Sequence, residues 1–311
     1  MNIIDLHCDT IDRLLDTNGI LKKNNFSIDM EKLKKGNSMA QFFAMYVSLH
    51  TVEDPLRHCL NMIDKFYNEI DNNDEISLAT NYKSLMSNYN NDKISAFLTI
   101  EEGGVLGGSL SNLRNFYRLG VRLITLTWNF ENELGYPNAL PECKDMGLKK
   151  FGIEVVEEMN RLGMIIDVSH LSDGGFYDVA KYSNKPFIAS HSNARSLCSH
   201  KRNLTDDMIR ILGEKGGITG LNFEKGFLND NGKGNIKDMI NHVKHIVKIG
   251  GEDVIALGTD FDGISPDGLE IANMGEIDKL ISALKKEGFS ESFIDKFAYK
   301  NALRVIKEVM I

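Results

Sequence analysis

A chain of 311 residues, 42% hydrophobic and 26% charged, is long enough to bury a large core, and its composition excludes disorder, collagen and coiled coil. A formal net charge of -8 with no evident basic face argues against a nucleic-acid groove. The four cysteines, Cys8, Cys59, Cys143 and Cys198, form no C-x-x-C pair and no regular framework, which suits reduced thiols in packing positions.

From the start of the chain, short apolar runs alternate with turn residues and longer amphipathic stretches, the pattern of βα units. Met1 leads straight into the strand-like Ile3-Ile4-Asp5-Leu6 without the features of a signal peptide, so the start is expected to belong to the fold. Strands are expected at 3–7, 41–47, 95–100, 123–127, 164–168, 187–190, 217–221 and 254–258. Helices are expected at 54–70, 110–119, 147–162, 206–212, 236–249, 274–287 and 290–309. In the first helix Leu56, Leu60, Ile63, Phe66 and Ile70 recur at helical spacing, as a face packed on a barrel should. The lysine-rich 22–35 run reads as a solvated excursion, and 71–92 as a polar connection with a short helix around Leu85. About eight strands alternating with helices predict a single α/β domain spanning 1–311, a (β/α)8 TIM-type barrel with its site at the C-terminal ends of the strands. No apolar stretch approaches the roughly 20 residues needed to cross a bilayer, and 305–311 is charged and too short. A cytoplasmic protein is expected.

Metal-ligand chemistry recurs at the ends of these strands. His7 and Asp9 lie two apart in an extended strand end and would present imidazole and carboxylate to the same side, two ligands for one cation. His170 and His191 end later strands. Glu101 and Glu102 follow Ile100 directly; neighbours on a strand point to opposite sides, so one of the two faces the mouth, and spacing alone leaves the choice open. That carboxylate, with two oxygens, would bridge a His7/Asp9 ion to a His170/His191 ion. Asp260 and Asp262 close the last strand, where a carboxylate would hold metal or move protons. Arg202, shortly after His191, would clamp a substrate carboxylate in bidentate fashion. Cys198 with His200 lacks a second ligand pair, His50 and His58 lack carboxylate company, and His242/His245 read as a solvated helix face. No G-x-S-x-G elbow supports a serine hydrolase.

On these residues the chain resembles the membrane dipeptidase (renal dipeptidase) family of zinc peptidases, among the amidohydrolase-like barrels. The resemblance runs through Asp5-Leu6-His7-Cys8-Asp9-Thr10, Glu102-Gly103-Gly104, Leu123-Ile124-Thr125-Leu126-Thr127, Asp167-Val168-Ser169-His170, Ser190-His191-Ser192-Asn193-Ala194-Arg195, Arg202-Asn203 and Gly258-Thr259-Asp260-Phe261-Asp262-Gly263. It implies zinc, two ions per chain, one held by His7 and Asp9 and the other by His170 and His191, with Glu102 rather than Glu101 as bridge. It also implies Asp260 rather than Asp262 as the proton-handling catalytic residue, and Arg202 as partner of the dipeptide carboxylate. One departure concerns the substrate wall: the animal enzymes carry a histidine after the Leu-Thr-Leu-Thr strand, where this chain has Trp128 followed by Asn129. An indole offers a single donor on a bulkier ring.

The expected activity is metal-dependent hydrolysis of the peptide bond of dipeptides, with a zinc-bound hydroxide attacking the carbonyl and Asp260 passing a proton to the leaving amine. A related amidohydrolase acting on N-acyl amino acids or β-lactam-type amides is the alternative, and a non-catalytic metal-binding barrel the second. The expected partner is a small dipeptide, with no nucleic acid and no membrane, and a homodimer is the candidate assembly. Other divalent ions also suit such ligands.

Overall fold

The computed structural model describes residues 1–232 and 234–310. Among the described residues nine parallel strands form one sheet: β1 (Ile3–Cys8), β2 (Ser38–Tyr46), β3 (Ile76–Leu78), β4 (Ile94–Glu101), β5 (Val121–Thr125), β6 (Ile165–Asp167), β7 (Ile188–Ala189), β8 (Ile218–Leu221) and β9 (Ile255–Leu257). Their order is β2-β1-β9-β8-β7-β6-β5-β4-β3, and a further β2–β4 pairing closes all but β3 into an eight-stranded α/β barrel. The eight barrel strands are the eight expected runs. β3 is the addition: it pairs with the start of β4 through Ile76↔Ile94 and Leu78↔Ala96, whereas β5 pairs only from Leu98 onward.

Side-chain alternation sorts the core into two layers. Ile4, Phe42, Phe97, Leu123, Ile165 and Ile218 share the cluster inside the barrel, while Phe43, Met45, Leu98 and Ile100 pack outward against the helices. The helix Asn301–Val309 sends Ala302, Val305, Ile306 and Val309 into the inner cluster. It therefore covers the end at which the strands begin, and the C-terminal ends are left to carry a site.

Several local expectations change. Leu60 is 40% exposed, and Cys59 and Met62 share the buried face of the helix Pro55–Asp71 with Ile63, Phe66 and Ile70. Within the 22–35 run, Met30–Lys35 is a helix that buries Met30 and Leu33, so only part of that run is solvated. The helices Thr10–Thr17 and Asp173–Tyr182 were not expected. The second opens Asp-Gly-Gly, a poor helix start by propensity, but a Cβ on Gly174 would meet the Asp145 backbone at 2.6 Å, so close packing dictates the glycine. The helix 290–309 is interrupted by a π-turn at Lys296–Lys300, beside which the Asn301 amide donates to the carbonyls of Glu252 and Ile255. Among the described residues no helix is long and apolar enough to cross a membrane.

Candidate metal centre and substrate cavity

The pleat of β4 decides between the two adjacent glutamates. Glu101 is in phase with Phe97 and so faces inward, and its carboxylate meets three histidines. Oε2 lies 3.3 Å from Nε2 of His7, while Oε1 lies 3.1 Å from Nε2 of His170 and 3.5 Å from Nε2 of His191. Glu102 follows after the strand has ended, at φ 114, and its carboxylate turns away to accept from the backbone N–H of Gly104 and Trp128 and from the Asn132 amide. The expectation for Glu102 is thus corrected: Glu101, not Glu102, is the glutamate that lies between His7 and the His170–His191 pair.

The other residues expected as ligands lie in the same cluster. Asp9 Oδ2 lies 3.4 Å and Asp260 Oδ1 3.9 Å from Nε2 of His7. A Cβ on Gly263 would stand 2.1 Å from Asp9 Oδ2, so only glycine leaves that carboxylate its place. The Nε2 atoms of His170 and His191 face each other at 3.1 Å.

Partners on the far side of two rings fix their tautomers. Ser190 Oγ donates to Asp167 Oδ2 at 2.5 Å and accepts from Nδ1–H of His191 at 2.7 Å. Asn129 Oδ1 accepts from Nδ1–H of His170 at 3.1 Å. Each ring therefore turns an Nε2 lone pair toward Glu101, as a metal-ligating histidine does. Both nitrogens of His7 and Oδ1 of Asp9 are buried with no hydrogen-bond partner among the described residues. Buried polar atoms without partners are uncommon, and these belong to two neighbouring side chains of the cluster. The donor set of imidazole and carboxylate fits divalent transition metals.

Electrostatics agree with that fit. Burial opposes ionisation of Glu101, yet the charge of His7, with the histidine ring nitrogens packed around the carboxylate, holds it well below the usual range. Burial disfavours a charged His7, but Glu101 and Asp9 raise it well above an ordinary imidazole. Burial pushes Asp9 up to about 8 and Asp260 up to about 6. Burial, with help from Arg202, lowers His170 to about 4. Bound cations would replace these shared protons, so metal uptake releases them.

The cluster opens into a cavity of about 370 Å³ bordered by Tyr46, Trp128, Asn129, Glu224, Phe227 and Asp260, within the size range of small-molecule sites. Trp128 and Asn129 stand on its wall. Arg202 does not border it: its guanidinium is buried, donates to Ser192 Oγ and the His191 carbonyl, and packs against the Phe227 ring with its Nε unpartnered among the described residues. Asp262 is tied elsewhere, accepting from Ser27 N–H and the Thr10 hydroxyl. His242 corrects the solvated-face reading: it is fully buried, accepting from Ala194 N–H at Nδ1 and donating to the Leu228 carbonyl from Nε2. Cys198 bonds to Gly226 and Asp230, and His200 stacks on Phe227, far from a paired ligand role.

Sequence reasoning gave no role to Asp5, Asp167 or Asn222. Asp5 joins β1 to Thr259 and Gln41, Asp167 orients the Ser190–His191 pair, and Asn222 donates to Asp260 Oδ2 at 2.9 Å. Asp167, three residues before His170, stood within a quoted motif; for Asn222 there was no local signal. Four of the seven described non-glycine residues with positive φ, Glu102, His170, Asp260 and Asp262, lie at this mouth, where backbone strain commonly accompanies function.

Comparison with known proteins gives the family. The family model "Membrane dipeptidase (Peptidase family M19)" matches residues 1–310. An uncharacterized protein of Klebsiella pneumoniae is 37% identical over 228 residues, 70% of this chain and 83% of that protein. Dipeptidase 3 of Mus musculus is 33% identical over 290 residues, 90% of this chain but 57% of the mouse protein. Among solved structures, a dipeptidase of metallopeptidase family M19 superimposes with a TM-score of 0.92 at 26% identity, over 100% of this chain and 99% of that one. A metallopeptidase from Rhodobacter sphaeroides, liganded with a phosphinate mimic of the dipeptide L-Ala-D-Ala, gives a TM-score of 0.91 at 25% identity, with 99% of each chain covered. The chain therefore belongs to the membrane dipeptidase family, the metallopeptidases of family M19.

Proposed function

We propose that this metallopeptidase is a zinc-dependent dipeptidase that holds two ions per chain, one between His7 and Asp9, the other between His170 and His191, with Glu101 bridging. The observation that carries the reading is Glu101 itself, whose two oxygens are divided between His7 on one side and His170 with His191 on the other. When bound, such ions lower the pKa of water and polarise the scissile carbonyl. The protein does the rest. Asp260, on the cavity wall, holds and passes the proton needed by the leaving amine; Asn129 and Ser190 keep His170 and His191 in the ligating tautomer; Trp128 and Phe227 shape the space around the substrate. Metal analysis of the isolated protein, joined to an assay of the metal-loaded enzyme across L,L- and L,D-dipeptides and N-acyl amino acids, tests it. Two zinc equivalents with dipeptide turnover support the reading. Turnover of acylated amino acids alone would favour the broader amidohydrolase, and metal without any turnover a binding barrel.

Orientation of His191 has its own test. Ser190→Ala removes the acceptor for Nδ1–H and should weaken zinc binding by about 10- to 100-fold in chelator competition, the usual scale for loss of a ligand-orienting partner. Wild-type affinity would remove Ser190 from that role.

The Arg202 guanidinium lies behind the cavity wall against Phe227, so the carboxylate clamp expected from the sequence requires Phe227 to move aside and expose Nε, which has no partner among the described residues. Arg202→Ala should cost on the order of 10- to 100-fold in kcat/KM on free dipeptides, from a charge-assisted bond worth roughly 1.5–3 kcal/mol. It should cost much less on dipeptide amides. If wild-type enzyme cleaves free and amidated dipeptides equally well, the clamp is wrong.

A further inference from the structure

Glu102 is fully buried, stands outside the histidine cluster, and accepts three hydrogen bonds from the segment that walls the cavity and from the turn beside it. Oε2 accepts from the Trp128 N–H at 3.0 Å. Oε1 accepts from the Gly104 N–H at 2.6 Å and from the Asn132 side-chain amide. Asn132 passes the restraint on: it also donates to the Leu126 carbonyl at 2.8 Å and accepts from the N–H groups of Leu134 and Gly135. The connection from the end of β5 to Gly135 is thus pinned at both ends to one carboxylate. Within that connection stand Trp128, edge-on to Tyr46 at 4.9 Å between ring centres, and Asn129, which holds Nδ1–H of His170.

We infer that Glu102 is a positioning residue for the substrate wall, an inference that rests on reading this cavity as the dipeptide site. Its carboxylate sets the backbone of Trp128, and through it the indole face and the Asn129 contact with His170. A bland account would make Glu102 the cap of the short turn Gly103–Leu106. That role needs only one oxygen, on Gly104 N–H, and leaves the bonds to Trp128 and Asn132 unexplained. Glu102 also sits at φ 114, a conformation in which glycine is at ease and a side chain is strained. Only an anion with two accepting oxygens answers all three donors; an amide in its place would turn an N–H toward one of them.

One β4 terminus thus delivers two carboxylates with different tasks. Glu101 gathers the histidines, and Glu102 fixes the loop that orients one of those histidines and faces the substrate.

Trp128 is the chain's single tryptophan, so its fluorescence reports the wall without substrate. The test uses the full metal-loaded chain as wild type, Glu102→Gln and Glu102→Gly; the glycine variant removes the φ penalty along with the carboxylate, so it carries the test should the glutamine variant fold poorly. Both variants are expected to keep wild-type metal content, to shift Trp128 emission to the red and to raise its quenching by acrylamide. Their dipeptide kcat/KM should fall on the order of 10- to 100-fold, the scale of a displaced substrate-positioning element, with the rise in KM exceeding the fall in kcat. Emission and quenching identical to wild type would overturn the proposal, even if thermal stability fell. Failure to load metal even at saturating zinc, in parallel with activity, would also overturn it, by making Glu102 a ligand; the displaced Asn129–His170 contact alone lowers affinity and not capacity. If wild-type enzyme cleaves no dipeptide, the dipeptidase reading fails, while the emission comparison still decides whether Glu102 holds the wall.

Discussion

Glu101→Gln is expected to leave the isolated protein with one zinc ion or none and to bring dipeptide turnover close to zero, whereas Glu102→Gln retains its metal. Inductively coupled plasma analysis of both variants beside the wild type measures the contrast. The physical reason is charge. His7, His170 and His191 would contribute no negative charge as ligands, so Asp9 and Glu101 would supply two negative charges against the four positive ones of the two proposed ions, with Asp260 nearby as a third. Glu101 is buried, so water compensates little for a lost charge. At about 4 Å and an effective dielectric of about 20, each unit charge pair is worth about 4 kcal/mol. Neutralising a carboxylate that faces two divalent ions should therefore weaken binding by far more than about 100-fold. Glutamine also has only one accepting oxygen, and its NH2 would face either His7 or the His170–His191 pair. Wild-type metal content in Glu101→Gln, or metal loss confined to Glu102→Gln, would return the bridge to Glu102 and sink the geometric assignment.

That choice shows how far the sequence could be read. The eight barrel strands are apolar or β-branched runs between turn residues, and they announce themselves. β3 does not, because Ile76–Leu78 is a three-residue strand in a stretch rich in Asn, Asp and Ser and acquires strand geometry only from the start of β4. The glutamate was legible in principle: Phe97, Thr99 and Glu101 alternate with Leu98 and Ile100, and the smaller set of apolar neighbours marks the inward face. The family-like Glu102-Gly103-Gly104 string pointed the other way, since a string carries no information on where the strand ends. His242 was misread because a histidine at i, i+3 from another on a predicted helix says nothing of Ala194 and Leu228, which are 48 and 14 residues away and bury it. Asp167, Asn222 and Asp5 act through partners in other strands, so their tasks emerge only once register is set.

Asp260→Asn is expected to lower kcat by about 100-fold or more with wild-type metal content retained, the usual scale of lost acid–base assistance. Asp260 borders the cavity, and its Oδ2 is held by the Asn222 amide at 2.9 Å while Oδ1 stands 3.9 Å from Nε2 of His7. One oxygen is therefore anchored and the other is free to meet substrate. Burial raises its carboxyl to about 6, closer to neutrality than an ordinary aspartate and so better suited to exchange a proton near pH 7. Asparagine keeps the shape and can still accept from Asn222 through its carbonyl oxygen, but it cannot take up or release that proton. Because Asp260 also lies within ligand distance of His7 and Asp9, metal analysis must accompany the kinetics. Loss of zinc in proportion to activity would make Asp260 a ligand, and near-normal kcat would reduce it to a turn residue. Asp262→Asn supplies the contrast: its oxygens accept from Ser27 N–H and the Thr10 hydroxyl. Turning one of them into an NH2 group should cost about 1 kcal/mol or more of stability, read as a lower Tm, with a far smaller effect on kcat.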